Sequence, residues 1–125
     1  MDSLESFVER RTEIVFPQDA NTHGTLFGGK AVSLMDEVGG ILATRYCRKP
    51  VVTVSIDRLD FKIPIKVADF VDVIARLDRV GRTSMAIKID LWAENPRTGE
   101  RSLSTSADFT FVAIDEHGHP TPIRG

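Results

Sequence analysis

Residues 17–36, PQDANTHGTLFGGKAVSLMD, hold the densest set of groups able to do chemistry. Gly28-Gly29 stand just before an apolar helical pattern. Backbone N–H groups at a helix start have no acceptor within the helix and carry partial positive charge. They can hold a carbonyl oxygen or a developing oxyanion, and glycine there lets a substrate come close. The pair also reads as a plain turn that starts a helix. Asp36 lies within that helix, off its main apolar stripe and near Val32, Gly39 and Ala43 on the helical wheel. A carboxylate among small and apolar residues is costly to bury without a partner. It reads either as a carboxylate buried there for a purpose, or as an Asp at the core margin held by a neighbour. Asn21 and His23, in the preceding loop, can orient water or a carbonyl. Each is also a common turn residue. Glu37 falls on the polar side and is expected to be solvated.

Other frameworks are missing from the sequence. There is no G-x-S-x-G elbow, Walker loop, H-E-x-x-H or C-x-x-C. His117 and His119 lie in a Gly/Pro-rich tail with no third ligand nearby, so no metal site is expected there. Cys47 is the lone cysteine, which excludes an intrachain disulfide and suits a reducing compartment.

The elements that must position these residues follow from periodicity. Residues 2–9 read as a short capped helical turn, with Asp2 or Ser3 at the N-cap. Residues 11–16 read as a strand ending at Pro17. Residues 29–47 form the one substantial helix, with Ala31, Leu34, Met35, Val38, Leu42 and Arg45 on one face. Gly39 and Gly40 interrupt it, which points to a close approach of another backbone. Strands are expected at 51–61, 70–80, 84–94 and 102–114, with turns at 81–83 and 95–99. The order is strand, helix, then four strands. That defines an α+β domain over residues 1–125, in which a mostly antiparallel sheet curls around a single helix.

Of the 125 residues, 42% are hydrophobic and 27% charged, so a packed core is expected without disulfide or metal. The net charge of −2 argues against a dedicated nucleic-acid binder. The charges are nevertheless segregated. Residues 45–101 carry 12 of the 16 Lys and Arg but 8 of the 18 Asp and Glu, a net of +4 within a remainder of −6. This is either a set of solvated strand faces or the place where an anionic ligand is held. No apolar run reaches the 18 or so residues of a membrane span. The first residues lack the pattern of a signal peptide, so a cytoplasmic location is expected.

The strings Pro17–Gly24, Phe27-Gly28-Gly29 and Leu34-Met35-Asp36-Glu37 resemble those of the hotdog-fold acyl-CoA thioesterases. The resemblance is to the branch with the YciA-type and the mammalian cytosolic and brain-type acyl-CoA hydrolases. It continues through Val52–Asp57, Gly81–Met85 and Phe111–Asp115, and so covers about residues 11–115. It implies a hotdog fold, a long central helix wrapped by a curved sheet of five to six strands. It implies a homodimer joined sheet edge to sheet edge, often three such dimers in a hexamer. Active sites would lie at the dimer interface, with Asp36 from one subunit and Asn21 from the other. The small-residue side of the helix would face partner and substrate.

The implied reaction is hydrolysis of an acyl-CoA thioester. Gly29, with Gly28, would hold the carbonyl oxygen. Asp36 would act as base or nucleophile, Asn21 would position water or substrate, and His23 would assist or shape the loop. No cofactor is implied, since coenzyme A belongs to the substrate. Arg82, Thr83 and Ser84 match a turn motif near the nucleotide. Arg58 and Lys62, on one strand side by alternation, are further phosphate candidates. Alternatives are a hotdog dehydratase using His23 with Asp36, or a non-catalytic acyl-CoA-binding domain.

Overall fold

The computed structural model describes residues 4–124. After a short 3-10 turn at Leu4–Ser6 come β1 (Val8–Ile14), α1 (Gly28–Cys47), β2 (Val51–Phe61), β3 (Phe70–Val80), β4 (Ser84–Glu94) and β5 (Arg101–Ala113). The strands form one antiparallel sheet in the order β1-β3-β4-β5-β2. β1 and β2 are therefore its edges. β1 begins three residues earlier than the sequence pattern indicates. Its alternation of exposed and half-buried residues starts at Val8, where pairing with Arg76 of β3 begins. The expected capping residues Asp2 and Ser3 lie outside the described residues.

The helix exists because its apolar residues recur on one side. Ala31, Leu34, Met35, Val38 and Leu42 are all buried. They meet the inward rows Val71, Val73, Ala75 and Leu77 of β3, Met85, Ile87, Ile89 and Leu91 of β4, and Phe109 and Phe111 of β5. Arg45, placed by periodicity on the same face, instead turns outward and pairs with Glu9 of β1 at 2.8 Å. Its long stem reaches solvent where an apolar side chain would not. Glu37 is bound as well as solvated: Arg11 donates to it at 2.9 Å and Ser33 at 3.2 Å. The Arg11 hydrogen bond holds the Glu37 carboxyl below its ordinary range. Glu9–Arg45 and Arg11–Glu37 together tie α1 to β1.

Gly39 is the tight point of the helix–sheet contact. A Cβ there would stand 2.6 Å from Ile89 Cδ1 and 3.0 Å from the Phe111 ring. The close neighbours are thus side chains of the chain's own sheet, not another backbone. Gly39 and Ala43 are buried against that sheet, so on the small-residue side of the helix only Val32 and Asp36 remain half-buried rather than buried.

The segregated charge also reads differently in space. Arg58 pairs with Asp108, Arg79 with Asp78, and Lys62 with Asp60. Asp72, 1% exposed, accepts hydrogen bonds from Arg10 and Thr12 and pairs with Arg101 at 3.0 Å. Burial alone would push the Asp72 carboxyl up. The Arg10, Arg101 and Thr12 hydrogen bonds outweigh it and hold the group below the ordinary range. Strand pairing thus brings Asp108 beside Arg58 and Asp72 beside Arg10 and Arg101, whereas Arg79–Asp78 and Lys62–Asp60 are local pairs.

Candidate active site

Asn21 closes the loop that leads into the helix. Its Oδ1 accepts from the N–H groups of His23 at 2.9 Å and Thr25 at 3.1 Å. Its Nδ2 donates to Thr25 Oγ1 at 2.9 Å, and its own N–H donates to the Thr25 carbonyl at 2.8 Å. Gly24, at φ 78°, makes the tight reversal that these bonds require. The loop is clamped at its far end, where Leu26 N–H donates to the Ile65 carbonyl and Val67 N–H to the Gly24 carbonyl. A short polar side chain that bonds its own backbone is what this reversal needs. His23 is exposed on the rim of the loop.

Phe27 is the N-cap residue and makes no side-chain cap hydrogen bond. An aromatic ring has no oxygen to offer the first N–H groups of α1. Those of Gly28 and Gly29 are among the donors that no intrahelical carbonyl can satisfy. A Cβ built on Gly29 meets nothing within 4 Å, whereas one on Gly28 would touch the Phe61 ring at 3.3 Å. The helix therefore presents an uncapped N-terminus with open space on the Gly29 side.

Asp36 is half-buried where α1 passes the edge strand β2. Thr53 Oγ1 donates to Asp36 Oδ1 at 2.5 Å. This bond occupies one carboxylate oxygen and fixes the side chain, leaving the other oxygen as an acceptor. Register shifts between Thr53 and Ser55 where β2 pairs with β5, a bulge beside the residue that holds the acid. Sequence reading did not single out Thr53. Within VVTVS it looks like any β-branched strand residue, and only the crossing of α1 over β2 brings it to Asp36. No hydrogen bond joins Asp36 to His23 among the described residues, so the chain by itself does not assemble the His–Asp pair of the dehydratase alternative.

The other named residues lie apart. Arg82, Thr83 and Ser84 form the turn into β4. That turn is fixed by Gly81 N–H to the Ser84 carbonyl and by Ile123 N–H to the Arg82 carbonyl. Arg82 lines a cleft of about 620 Å³ with Tyr46 and Arg124, at the C-terminal end of α1. In the same chain this is the opposite end from Gly28, roughly 30 Å away for a 20-residue helix. Arg58 has φ 54° in a second irregularity of β2, between Asp57 and Asp60. That bulge breaks the alternation, so Arg58 and Lys62 do not share a strand side as simple pleating would have it. Arg58 bonds Asp108 at 3.2 Å. Lys62 follows the end of β2 and lines a cavity beneath Gly28.

One helix gripped by a curled antiparallel sheet, with an acid on the helix and an uncapped glycine pair at its start, is the hotdog arrangement. A family model described as Thioesterase superfamily matches residues 23–100. The chain belongs to that superfamily. It is 42% identical over 113 residues to a Bacillus subtilis protein named as an uncharacterized acyl-CoA thioester hydrolase, YkhA. The match covers 90% of this chain and 66% of YkhA, so the chain spans just under two thirds of that relative. To the acyl-CoA thioester hydrolase YciA of Salmonella typhimurium it is 37% identical, covering 88% of this chain and 85% of YciA.

Among solved structures, the acyl-CoA hydrolase of Bacillus cereus superposes with a TM-score of 0.92 at 37% identity, over 97% of this chain and 74% of that one. An apo-hexameric acyl-CoA thioesterase superposes at 0.92 and 38% identity, over 97% and 78%. The acyl-CoA hydrolase of Staphylococcus aureus, solved with butyryl coenzyme A, coenzyme A and coenzyme A disulfide, superposes at 0.90 and 32%, over 99% and 76%. That enzyme has also been solved with single Asp, Asn and Thr residues replaced by Ala. The three stand in the order Asn, Asp, Thr at the spacing of Asn21, Asp36 and Thr53 here. No helix among the described residues is long and apolar enough to cross a membrane.

Proposed function

We propose that this chain hydrolyses acyl-CoA thioesters to a carboxylic acid and free coenzyme A. The observation that carries the reading is Asp36, held by Thr53 at the sheet edge, on the same helix that begins with uncapped Gly28-Gly29. The thioester carbonyl oxygen accepts from the N–H of Gly29, with Gly28 beside it. Asp36 takes a proton from water, and the resulting hydroxide attacks the carbonyl carbon. The negative charge moves to the oxygen that the helix start stabilises. Collapse of the tetrahedral intermediate breaks the C–S bond, and the thiolate of coenzyme A leaves and takes up the proton. Asn21 shapes the loop over the helix start and positions water or the thioester. These steps call on the chain's own groups and water, and coenzyme A enters as part of the substrate.

Asp36 lies seven residues beyond Gly29, roughly 10 Å along the helix axis. One chain's acid and its own helix start are poorly placed to flank one carbonyl carbon. Pairing two copies through β2 resolves this. Val52, Val54, Ile56, Leu59 and Phe61 are exposed along that edge, Val54 by 54%, and an apolar unpaired edge favours strand addition. A two-fold axis makes the added strand antiparallel. The Val51 end of one β2, near Asp36 and Thr53, then meets the Phe61 end of the other, near Gly28. The same symmetry carries the Arg82 turn of one copy toward the helix start of the other, where the nucleotide of an acyl-CoA would extend. Each site in this reading joins Asp36 of one subunit to Gly29 and Asn21 of the second. The hexameric assembly of the solved relative fits such dimers as building blocks.

Replacing Asp36 with Ala tests the reaction. Thiol released from acyl-CoA is expected to fall by about 10²–10⁴-fold in kcat, the usual weight of a general base, while the oligomer and its thermal unfolding are kept. Undiminished turnover would refute the assignment.

A further inference from the structure

A cavity of about 320 Å³ opens beside the helix start. Its walls include Leu26, Ala31, Ile63 and Ile65, together with Gly28 itself. The inner side is marked by buried residues, Ala31 and Ile65 with Ser104 and Thr105. Ser104 Oγ donates to the Ile63 carbonyl and lies 3.4 Å from Thr105 Oγ1, so these hydroxyls are turned toward protein atoms. Phe61 forms one wall of it, 53% exposed, with its ring 3.3 Å from where a Cβ on Gly28 would be. The Phe61 ring does not join the core; it lies over the helix-start glycine and closes one side of the cavity.

We infer that Phe61 is a specificity-determining residue, whose ring limits the length of the acyl chain entering this cavity. The inference rests on the thioesterase reading, which puts the carbonyl at Gly28-Gly29 and the acyl chain beside it. The volume holds roughly ten groups of water or methylene size at about 30 Å³ each. An apolar tail gains affinity with each methylene it buries, up to the point where the Phe61 ring and the inner wall stop it. Chains of short to medium length therefore fit, and longer ones must displace the ring.

The test compares Phe61→Ala and Phe61→Leu with the unaltered chain on saturated acyl-CoAs from butyryl to hexadecanoyl, with the oligomer checked by size exclusion. The expected result is a rise of tenfold or more in the ratio of kcat/KM for hexadecanoyl to butyryl substrate in Phe61→Ala, with Phe61→Leu intermediate. A ratio within twofold of the unaltered chain, or an equal loss at every length, overturns the inference. Binding of alkyl-CoA thioethers, which cannot be hydrolysed, is measured by calorimetry in parallel. Should the unaltered chain release no thiol, the hydrolase reading falls. The thioether series then decides alone: a length dependence shifted by Phe61→Ala supports the gate, and an unshifted one overturns it.

Discussion

Thr53 and Asp36 show how one hydrogen bond turns a surface acid into an oriented one. The bond, at 2.5 Å, holds a carboxylate that is otherwise free to rotate at the margin of the core. Thr53→Val keeps the β-branched shape on β2 and removes the donor. A net hydrogen bond is worth about 1 kcal/mol, so kcat should fall roughly fivefold, with KM for acyl-CoA nearly unchanged. Steady-state kinetics on one substrate read both terms, and an unchanged kcat would mean that Asp36 needs no such support. Asp36 is legible in the sequence because helical periodicity sets it off the apolar stripe. Thr53 is not, because nothing local distinguishes a threonine that faces a helix from one that faces water. Arg58 and Lys62 illustrate a second limit: strand alternation links them only if no bulge intervenes, and one does.

At the scale of the element, the two central glycines of α1 look alike in sequence and differ in the fold. A Cβ on Gly39 would press to 2.6 Å of Ile89, whereas one on Gly40 would sit at an ordinary 3.9 Å from Phe111. Gly39→Ala is expected to destabilise the protein by about 1–3 kcal/mol through overpacking. Gly40→Ala should be neutral or stabilising by up to about 1 kcal/mol, since alanine is the better helix former. Urea unfolding midpoints at matched protein concentration check both, and equal effects would contradict the packing described. β3 to β5 are readable from alternation almost to the residue, and β2, whose burial does not alternate, from its β-branched residues. β1 is less so, because the pattern of an edge strand that begins at a chain turn is diluted by exposed charge.

At the scale of the whole molecule, the proposed site belongs to two copies, and that has a quantitative consequence. In a hybrid of Asp36→Ala and Asn21→Ala chains, one site lacks both residues and the other has both. Equal amounts of the two inactive variants, unfolded together and refolded, should regain about a quarter of the unaltered activity, since half the dimers are hybrids with one intact site each. No recovery, with hybrids demonstrated by differential tagging, would place both residues in one subunit's site.

Periodicity by itself determined the element order, the inward rows of the sheet and the apolar stripe of the helix, because burial repeats every 2 or 3.6 residues. It also marked Gly28-Gly29 and Asp36, whose positions relative to the helix are local facts. Tertiary structure alone decided that Thr53 holds Asp36, that Gly39 is pressed by Ile89, and that Phe61 lies on Gly28. Those contacts join residues 17, 50 and 33 positions apart. They depend on how the sheet curls around the helix, a property of many residues at once and of no short stretch of sequence.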